Sequence, residues 1–161
     1  MNIYRDRFQK IHERPEGEPL HWRMSAYGVV RNEKGEILMV LPAWGESYDL
    51  PGGGVAIHER IHEGLRREFY EETGFRVEIE DMPFYVGESD FFMDHSNEFM
   101  HVVILTYRAR LIDPTKRDAD VVNTADGFEI RDMKWMHPRE LTEANVRAIH
   151  WPVIRSLQQV S

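Results

Sequence analysis

Three glutamates crowd one flank of a predicted helix. Glu68, Glu71 and Glu72 are spaced i, i+3 and i+4, which places them within an arc of about 100° of the helix surface. Ile61 and Leu65 fall beside Glu68 and Glu72, so two of these carboxylates border the stripe that should face the core. Like charges near apolar material destabilise a fold unless a cation compensates them. Carboxylate oxygens prefer a hard divalent ion, so the spacing predicts a site for Mg²⁺ first and Mn²⁺ second.

Arg67 is placed to orient these ligands. It lies four residues after Glu63 and four residues before Glu71, within reach of both. A charge-assisted hydrogen bond from Arg67 would hold Glu71 in one rotamer, which is how a residue behind a metal ligand tunes a site. The competing interpretation is a solvated surface helix, in which an i,i+4 pair such as Glu63 with Arg67 contributes only tenths of a kcal/mol.

A second motif overlaps the start of this helix. Residues 58–62 spell His-Glu-x-x-His, the pattern of zinc peptidases. Those enzymes need both histidines on one helix and a third ligand downstream. His58 lies only four residues after Gly54, where a helix is at best beginning. A zinc peptidase is therefore a remote alternative from another class.

A longer pattern resembles the signature of a known family. Gly53 is followed after five residues by Glu59, and after seven more by the run REFYEETGF at residues 67–75. The pattern resembles the signature box of the Nudix (MutT-like) hydrolases over residues 53–75. Several box positions demand a single residue type, so a chance match is rare. Phe69 and Phe75 replace the usual bulky aliphatic residues and keep the hydrophobic bulk.

The resemblance implies both a fold and a reaction. The fold is a Nudix-type α/β/α sandwich with a mixed central sheet, and the box forms a loop–helix–loop element. Glu68, Glu71 and Glu72 would ligate Mg²⁺, with the Gly53 backbone as a further ligand. The implied reaction is hydrolysis of the pyrophosphate bond in a nucleoside diphosphate linked to another group, by metal-activated water. A nucleoside triphosphate, a nucleotide sugar and a dinucleotide all remain open as substrates.

The same pattern suggests residues that contact the substrate. Gly52 and Gly53 permit close approach of a ligand to the backbone. Arg23, on the first predicted strand of the central region, is a candidate contact for a substrate phosphate, and an ordinary surface charge is the competing interpretation. Tyr48 is a candidate platform for a nucleobase. Ordinary core or rim packing competes with this role for Tyr48 and for three other aromatic residues, Trp44, Phe91 and Phe92.

The general base has three candidates. Glu129 comes first, because it lies six residues before Trp135, where many members of the family carry a glutamate of the site. Glu98 is the second candidate and Glu71 the third. A different hypothesis is a Nudix-like binding or regulatory module without catalysis. The intact box carboxylates argue against it, since such modules usually lose them.

Composition excludes several classes of function. The chain has 161 residues with 20 Lys+Arg against 28 Asp+Glu, and its net charge of −8 opposes binding to nucleic acid polymers or anionic membranes. The absence of cysteine excludes disulfides, thiolate zinc sites and cysteine nucleophiles. No apolar run approaches the length of a membrane span. We expect one domain over residues 1–161 and a cytoplasmic location, and homodimer formation is left open.

The elements around the motifs predict an α+β fold with a mixed sheet. Residues 1–20 are expected to form an arm or an edge element, and residues 23–31 and 36–41 a β-hairpin around the turn NEKG. A helix is predicted over about 59–73, ended by Gly74. A final helix is predicted over about 140–160, kinked or split at Pro152. The remaining strands are predicted at 75–79, 84–92, 99–111 and 128–136.

Overall fold

The chain folds around a mixed β-sheet with a helix on each face. The structure is a computed structural model, and it describes residues 3–122 and 130–159. Within those residues it contains the helices α1 (Ile61–Thr73) and α2 (Trp151–Gln158). The strands are β1 (Ile3–Arg5), β2 (Ile11–Glu13), β3 (Leu20–Val30), β4 (Ile37–Pro42), β5 (Gly52–Gly54), β6 (Val77–Ile79), β7 (Tyr85–Met93), β8 (Glu98–Leu111) and β9 (Ile130–Met136).

The larger sheet is built on one long strand pair. In the described residues its order is β2-β1-β7-β8-β3-β5, and β6 continues the edge of β8 beyond β7. β3 runs parallel to β8 over its whole length, and β1 runs parallel to β7, whereas β7 is antiparallel to β8 and β5 is antiparallel to β3. Residues 25–30 of β3 are buried without interruption, because both faces of the sheet are covered there. The predicted α+β class and mixed sheet are therefore confirmed.

Two packed layers cover this sheet. On one face Leu65 of α1 packs with Ala26, Leu105 and Tyr107, while on the other face the apolar side of α2 joins the largest core cluster. β4 and β9 form a separate antiparallel ribbon, which also covers α1. No helix in the described part of the chain combines the length and the apolar character needed to cross a membrane.

The helix that carries the three glutamates is confirmed, beginning at Ile61. Its first turn is closed by the Glu63 carboxylate, which accepts a hydrogen bond from the Arg60 backbone N–H at 2.9 Å. Its end is set by Gly74, whose φ of 74° places it in the left-handed region. A Cβ at Gly74 would also lie 2.2 Å from the Asp118 carbonyl oxygen. Only glycine fits this position, so the end of α1 is fixed by the sequence.

The predicted hairpin of residues 23–31 and 36–41 is wrong. The NEKG turn forms, with Gly35 at a φ of 79° and its N–H donating to the Asn32 carbonyl. Beyond a bridge between Arg31 and Ile37, however, the two strands do not pair. β8 and β5 already occupy both edges of β3, so β4 leaves this sheet and pairs with β9 instead.

The predicted terminal helix is shorter than expected. Short 3₁₀ turns occupy Pro138–Glu140 and Ala148–His150, and α2 begins only at Trp151. Pro152 therefore lies in the first turn, where a missing N–H costs no intrahelical hydrogen bond. The predicted segment is therefore split just before Pro152 and not kinked there. The other predicted strands form within one or two residues of the expected bounds, except that residues 128–129 lie outside the described residues.

Candidate active site

A cavity of about 370 Å³ crosses four neighbouring strands of the large sheet. Side chains of β3, β8 and β7 form its floor, and the glycine strand β5 and the glutamate flank of α1 form one wall. The residues singled out in the sequence that line the cavity include Arg23, Gly52, Gly53, Arg67, Glu68, Glu71 and Glu72. Other parts of the lining include Arg7, Trp44, Asp49, Phe91, Asp94 and Arg147. The structure thus brings the predicted metal ligands to one concave surface.

The glycine strand allows the glutamates to approach the backbone. The Gly52 N–H donates to Glu72 Oε2 at 2.9 Å, and a Cβ at Gly52 would lie 2.2 Å from the Ala26 carbonyl oxygen. A Cβ at Gly53 would lie 2.8 Å from Glu68 Oε2. A side chain at Gly52 would therefore overlap the backbone of β3, and a side chain at Gly53 would displace the Glu68 carboxylate from the strand. The backbone of Gly53 remains available as an oxygen ligand next to Glu68.

Arg67 ties the glycine loop to the helix. It grips Glu59 through two hydrogen bonds, of 2.5 Å and 3.0 Å, and reaches Glu68 at 2.7 Å and Glu71 at 3.2 Å. Its guanidinium also donates to the Gly54 carbonyl at 3.2 Å. These hydrogen bonds lower the pKa of Glu59 to about 2. The expected contact with Glu71 is present.

Arg67 does not pair with Glu63, as the competing interpretation of a solvated surface helix would require. Glu63 closes the first turn of α1 through the Arg60 backbone instead. Because that carboxylate is already engaged, Glu59 from the preceding loop takes its place beside Arg67. The arginine is therefore directed towards the cavity wall rather than along the exposed side of the helix.

Two of the wall carboxylates are held in surroundings that disfavour their charge. Burial raises the pKa of Glu72 well above its ordinary value, and the charges of Asp49 and Glu68 raise it further. Burial also raises the pKa of Glu68, against the opposing effect of Arg67. A group of acidic side chains of this kind becomes more favourable when a cation binds next to it.

The donor chemistry of this wall fits a hard divalent cation. Glu68, Glu71 and Glu72 offer only oxygen ligands, and Gly53 can add a carbonyl. As they stand, Glu68 and Glu71 face Arg67 while Glu72 faces Gly52. Accordingly, no three acidic or histidine side chains in residues 3–122 and 130–159 already enclose a point where an ion would bind. Arg67 compensates the negative charge of Glu68 and Glu71, which a bound cation would also compensate.

A second buried polar group forms the opposite part of the cavity. Arg147 donates to Asp49 at 2.9 Å, and the fully buried His150 approaches the other oxygen of Asp49 at 2.5 Å. Burial opposes the charge of Asp49, but Arg147 and His150 outweigh it and lower the Asp49 pKa. The Arg147 guanidinium lies 5.3 Å from the centre of the Trp44 ring. Sequence reasoning missed this group, because no local motif links residues 98 positions apart.

Some of the other predicted substrate contacts line the cavity and some do not. Arg23 lies in the cavity, so close to Gly54 that a Cβ there would overlap its guanidinium. Tyr48 does not line the cavity, and its half-buried side chain packs against the core, so the structure does not support Tyr48 as a substrate contact. Tyr48 is held back because its backbone pairs with residues 145–147. Of the other aromatic candidates, Trp44 and Phe91 line the cavity, whereas Phe92 is buried with Tyr4.

Of the three candidates for the general base, the two within the described residues differ in their position relative to the cavity. Glu71 lines the cavity. Glu98 lies at the start of β8, where it accepts a hydrogen bond from Ser96, and it is not part of the cavity lining. Glu129 lies outside the described residues and stays a prediction.

The His-Glu-x-x-His segment does not form a zinc site. His58 precedes α1, whereas His62 is in its first turn and packs edge-on against Tyr107 at 5.0 Å. The Glu59 carboxylate accepts hydrogen bonds from Arg67. Since the two histidines do not share a helix, the geometry required of a zinc peptidase is missing.

Comparison with known proteins shows the family of the chain. The chain matches the family model of the NUDIX domain over residues 21–157. It is 31% identical over 133 residues to a MutT-like protein of Streptomyces ambofaciens, covering 81% of this chain and 75% of that protein. It is 30% identical over 115 residues to the nucleoside triphosphatase NudI of Salmonella newport, covering 67% and 75%. The crystal structure of the MutT protein from Methanosarcina mazei Go1 has the same fold, with a TM-score of 0.60 at 21% identity over 91% of this chain and 98% of that chain.

The fold and the box on the cavity wall define a hydrolase of pyrophosphate bonds in nucleoside diphosphate derivatives. The chain belongs to the Nudix family. The predicted family and fold are therefore confirmed.

Proposed function

We propose that this protein hydrolyses the pyrophosphate bond of a nucleoside triphosphate with Mg²⁺ as its metal. The observation that carries the proposal is the convergence of Glu68, Glu71 and Glu72 with the glycine strand on one wall of a cavity that also contains Arg23. The triphosphate is favoured because a relative covering two thirds of the chain is a nucleoside triphosphatase. Nucleotide sugars and dinucleotides remain the substrates to compare against it.

Each residue of the wall has a distinct role in this proposal. Glu68, Glu71, Glu72 and the Gly53 carbonyl hold Mg²⁺, which when bound neutralises phosphoryl charge and lowers the pKa of an attacking water. Arg67, fixed by Glu59, orients the carboxylates and keeps the glycine loop against the helix.

Arg23 supplies positive charge for a phosphate oxygen from the neighbouring strand. Its guanidinium and the acidic wall lie on either side of β5, so a diphosphate placed along the glycine strand would meet both. The Gly52 N–H already donates to Glu72, so it positions this proposed metal ligand and does not contact the substrate.

The test is a product assay over a panel of nucleoside triphosphates, nucleotide sugars and dinucleotides. We expect release of two phosphorylated products from the triphosphates with Mg²⁺ or Mn²⁺, and none after chelation. Binding across the panel without turnover would favour a regulatory module instead. Peptide cleavage restored by Zn²⁺ and not by Mg²⁺ would favour the peptidase.

A further inference from the structure

An ion pair between the N-terminal hairpin and the residue that follows β7 lies at the far end of the cavity. Arg7 lies in the turn between β1 and β2, and Asp94 directly follows β7. Both residues line the cavity, and Arg7 Nη2 donates to Asp94 Oδ2 at 2.9 Å. The match to the family model begins at residue 21, so the hairpin is a feature of this chain outside the matched region.

The turn that carries Arg7 is held firmly in place. The buried Asp6 carboxylate accepts hydrogen bonds from the backbone N–H groups of Phe8 and Lys10, at 2.8 Å and 3.0 Å, and it pairs with His12 at 2.8 Å. The His12 ring in turn stacks on Phe92 at 3.9 Å. A turn fixed by these contacts presents Arg7 to the cavity in a preorganised position.

The position of Arg7 relates it to a part of the substrate far from the metal. In the order β5-β3-β8-β7-β1, the hairpin lies four strand spacings from the glycine strand, or roughly 19 Å at about 4.8 Å per spacing. A diphosphate bound at the glutamate wall therefore leaves the rest of the nucleotide to extend towards Arg7. Phe91 of β7 lies along this path and is in register with Arg5 of the hairpin.

The charge at this end favours a neutral group. Asp94 balances Arg7, so a further phosphate would meet a carboxylate as well as a guanidinium. Together the pair offers a donor fork and an acceptor, side by side and only about one quarter exposed. A planar group with both an acceptor and a donor on one edge matches this arrangement, and an aromatic ring such as Phe91 suits its face.

We propose that Arg7 and Asp94 read the nucleobase of the substrate, so that the N-terminal hairpin sets base specificity. This inference rests on the proposed hydrolysis of a nucleoside triphosphate at the glutamate wall. Under it, the region outside the family match belongs to the substrate site, and the chemistry at the metal is separate from the choice of base.

The experiment compares kcat and KM for ATP, GTP, CTP and UTP in the wild-type protein, Arg7→Ala, Asp94→Asn and Arg5→Ala. We expect the wild type to prefer the nucleotide with one particular base. Arg7→Ala should raise KM for that nucleotide by about tenfold with kcat nearly unchanged, which reduces the differences in kcat/KM among the four nucleotides. Asp94→Asn should act in the same direction. Arg5→Ala is the matched control, because Arg5 lies in the same hairpin but bonds only to the Gln9 carbonyl among the contacts observed and does not line the cavity.

Inorganic tripolyphosphate, which has no base, separates base recognition from phosphate binding. Its inhibition constant should be unchanged in Arg7→Ala, and thermal unfolding should show that the variant is folded. The inference is overturned if the wild type treats the four bases alike, if Arg7→Ala keeps the wild-type ranking, or if the variant loses tripolyphosphate affinity to the same extent. If no nucleotide is turned over, the proposed function fails, and calorimetric binding of the four nucleotides to the wild type and Arg7→Ala still decides the role of Arg7.

Discussion

Asp49 and Glu72 are two carboxylates of one cavity with opposite electrostatic surroundings. Asp49 is buried between Arg147 and His150, and these partners lower its pKa even though burial opposes its charge. Within the described residues Glu72 accepts one hydrogen bond, from the Gly52 N–H, and burial raises its pKa well above the ordinary value. Asp49 thus has Arg147 and His150 next to it within the protein, whereas the charge of Glu72 is left to be compensated by a bound cation.

The difference separates a structural acid from a functional one. A buried carboxylate with a guanidinium and an imidazole stabilises the ordering of the residues around it, and its removal affects folding. A carboxylate held next to like charges is costly in the free protein and becomes favourable only with a cation. The predictions below test whether the two acids divide their roles in this way.

The largest expected effect is on catalysis at Glu72. Glu72→Gln should lower kcat by about 10³-fold, because it removes a charged ligand where phosphoryl charge is stabilised. The measurement is steady-state turnover of the best triphosphate at saturating Mg²⁺. Glu63→Gln is the matched control on the same helix, since Glu63 only closes its first turn, and its kcat should stay within about twofold of wild type. Equal losses in the two variants would contradict a special role for Glu72.

Removing Arg147 should instead affect stability. Arg147→Ala leaves Asp49 charged and buried without its guanidinium, which should cost about 3 kcal/mol in the free energy of unfolding. Urea denaturation measures this cost. The control is Arg131→Ala, because Arg131 pairs with Glu46 at the surface, and its loss should cost less than about 0.5 kcal/mol. A loss for Arg147→Ala as small as that of the control would show that Asp49 does not depend on Arg147.

The general base is the third test, since Glu72 is assigned to the metal and not to proton transfer. Glu129→Gln should lower kcat by about 10²-fold, the usual effect of losing a general base. Glu98→Gln should leave kcat unchanged, because Glu98 does not line the cavity. Turnover is measured as for Glu72. An unchanged kcat in Glu129→Gln would remove Glu129 from the role and leave Glu71 as the candidate.

The smallest expected effect is a pH dependence of stability in metal-free protein. The raised pKa of Glu72 means that its protonated form is favoured in the fold, so its contribution is present below about pH 4.5 and lost as pH rises through the raised value. Asp49 acts oppositely: its lowered pKa gives stability above about pH 4 that is lost as pH falls further.

Thermal unfolding between pH 4 and pH 8, with chelator or with Mg²⁺, measures this dependence. Glu72→Gln should flatten the decline on the alkaline side, and Mg²⁺ should reverse it in the wild type, since an ion that binds only the folded state stabilises it. The assignment of an electrostatically unfavourable acid would be wrong if stability without metal rose steadily up to pH 8 in both proteins.

The parts of the molecule that were predictable from the sequence are those governed by local rules. The helix carrying Glu68 follows from apolar residues spaced four apart and from a glycine at its end, and both signals lie within the segment itself. The glycine loop before it is likewise local. For this reason the predicted metal ligands could be placed together without knowledge of the rest of the chain.

The errors arise where distant parts of the chain compete. The segments on either side of the NEKG turn look like a hairpin, but β8 and β5 occupy the two edges of β3 and β4 pairs with β9, and no local pattern records that choice. Proline interrupts the interior of a helix but is tolerated in its first turn, so the effect of Pro152 depends on where α2 begins. Arg7 and Arg147 reach the cavity only through the packing of remote segments.

Binding of Mn²⁺, followed by electron paramagnetic resonance of the free ion, tests the carboxylate wall most directly. The wild-type protein should remove Mn²⁺ from solution in a saturable way, Mg²⁺ should compete for it, and Glu68→Gln and Glu72→Gln should each weaken the binding by tenfold or more, while Glu63→Gln leaves it intact. Mn²⁺ that stays free in the presence of folded wild-type protein, or that binds equally well to all three variants, would contradict a cation site on this flank of α1.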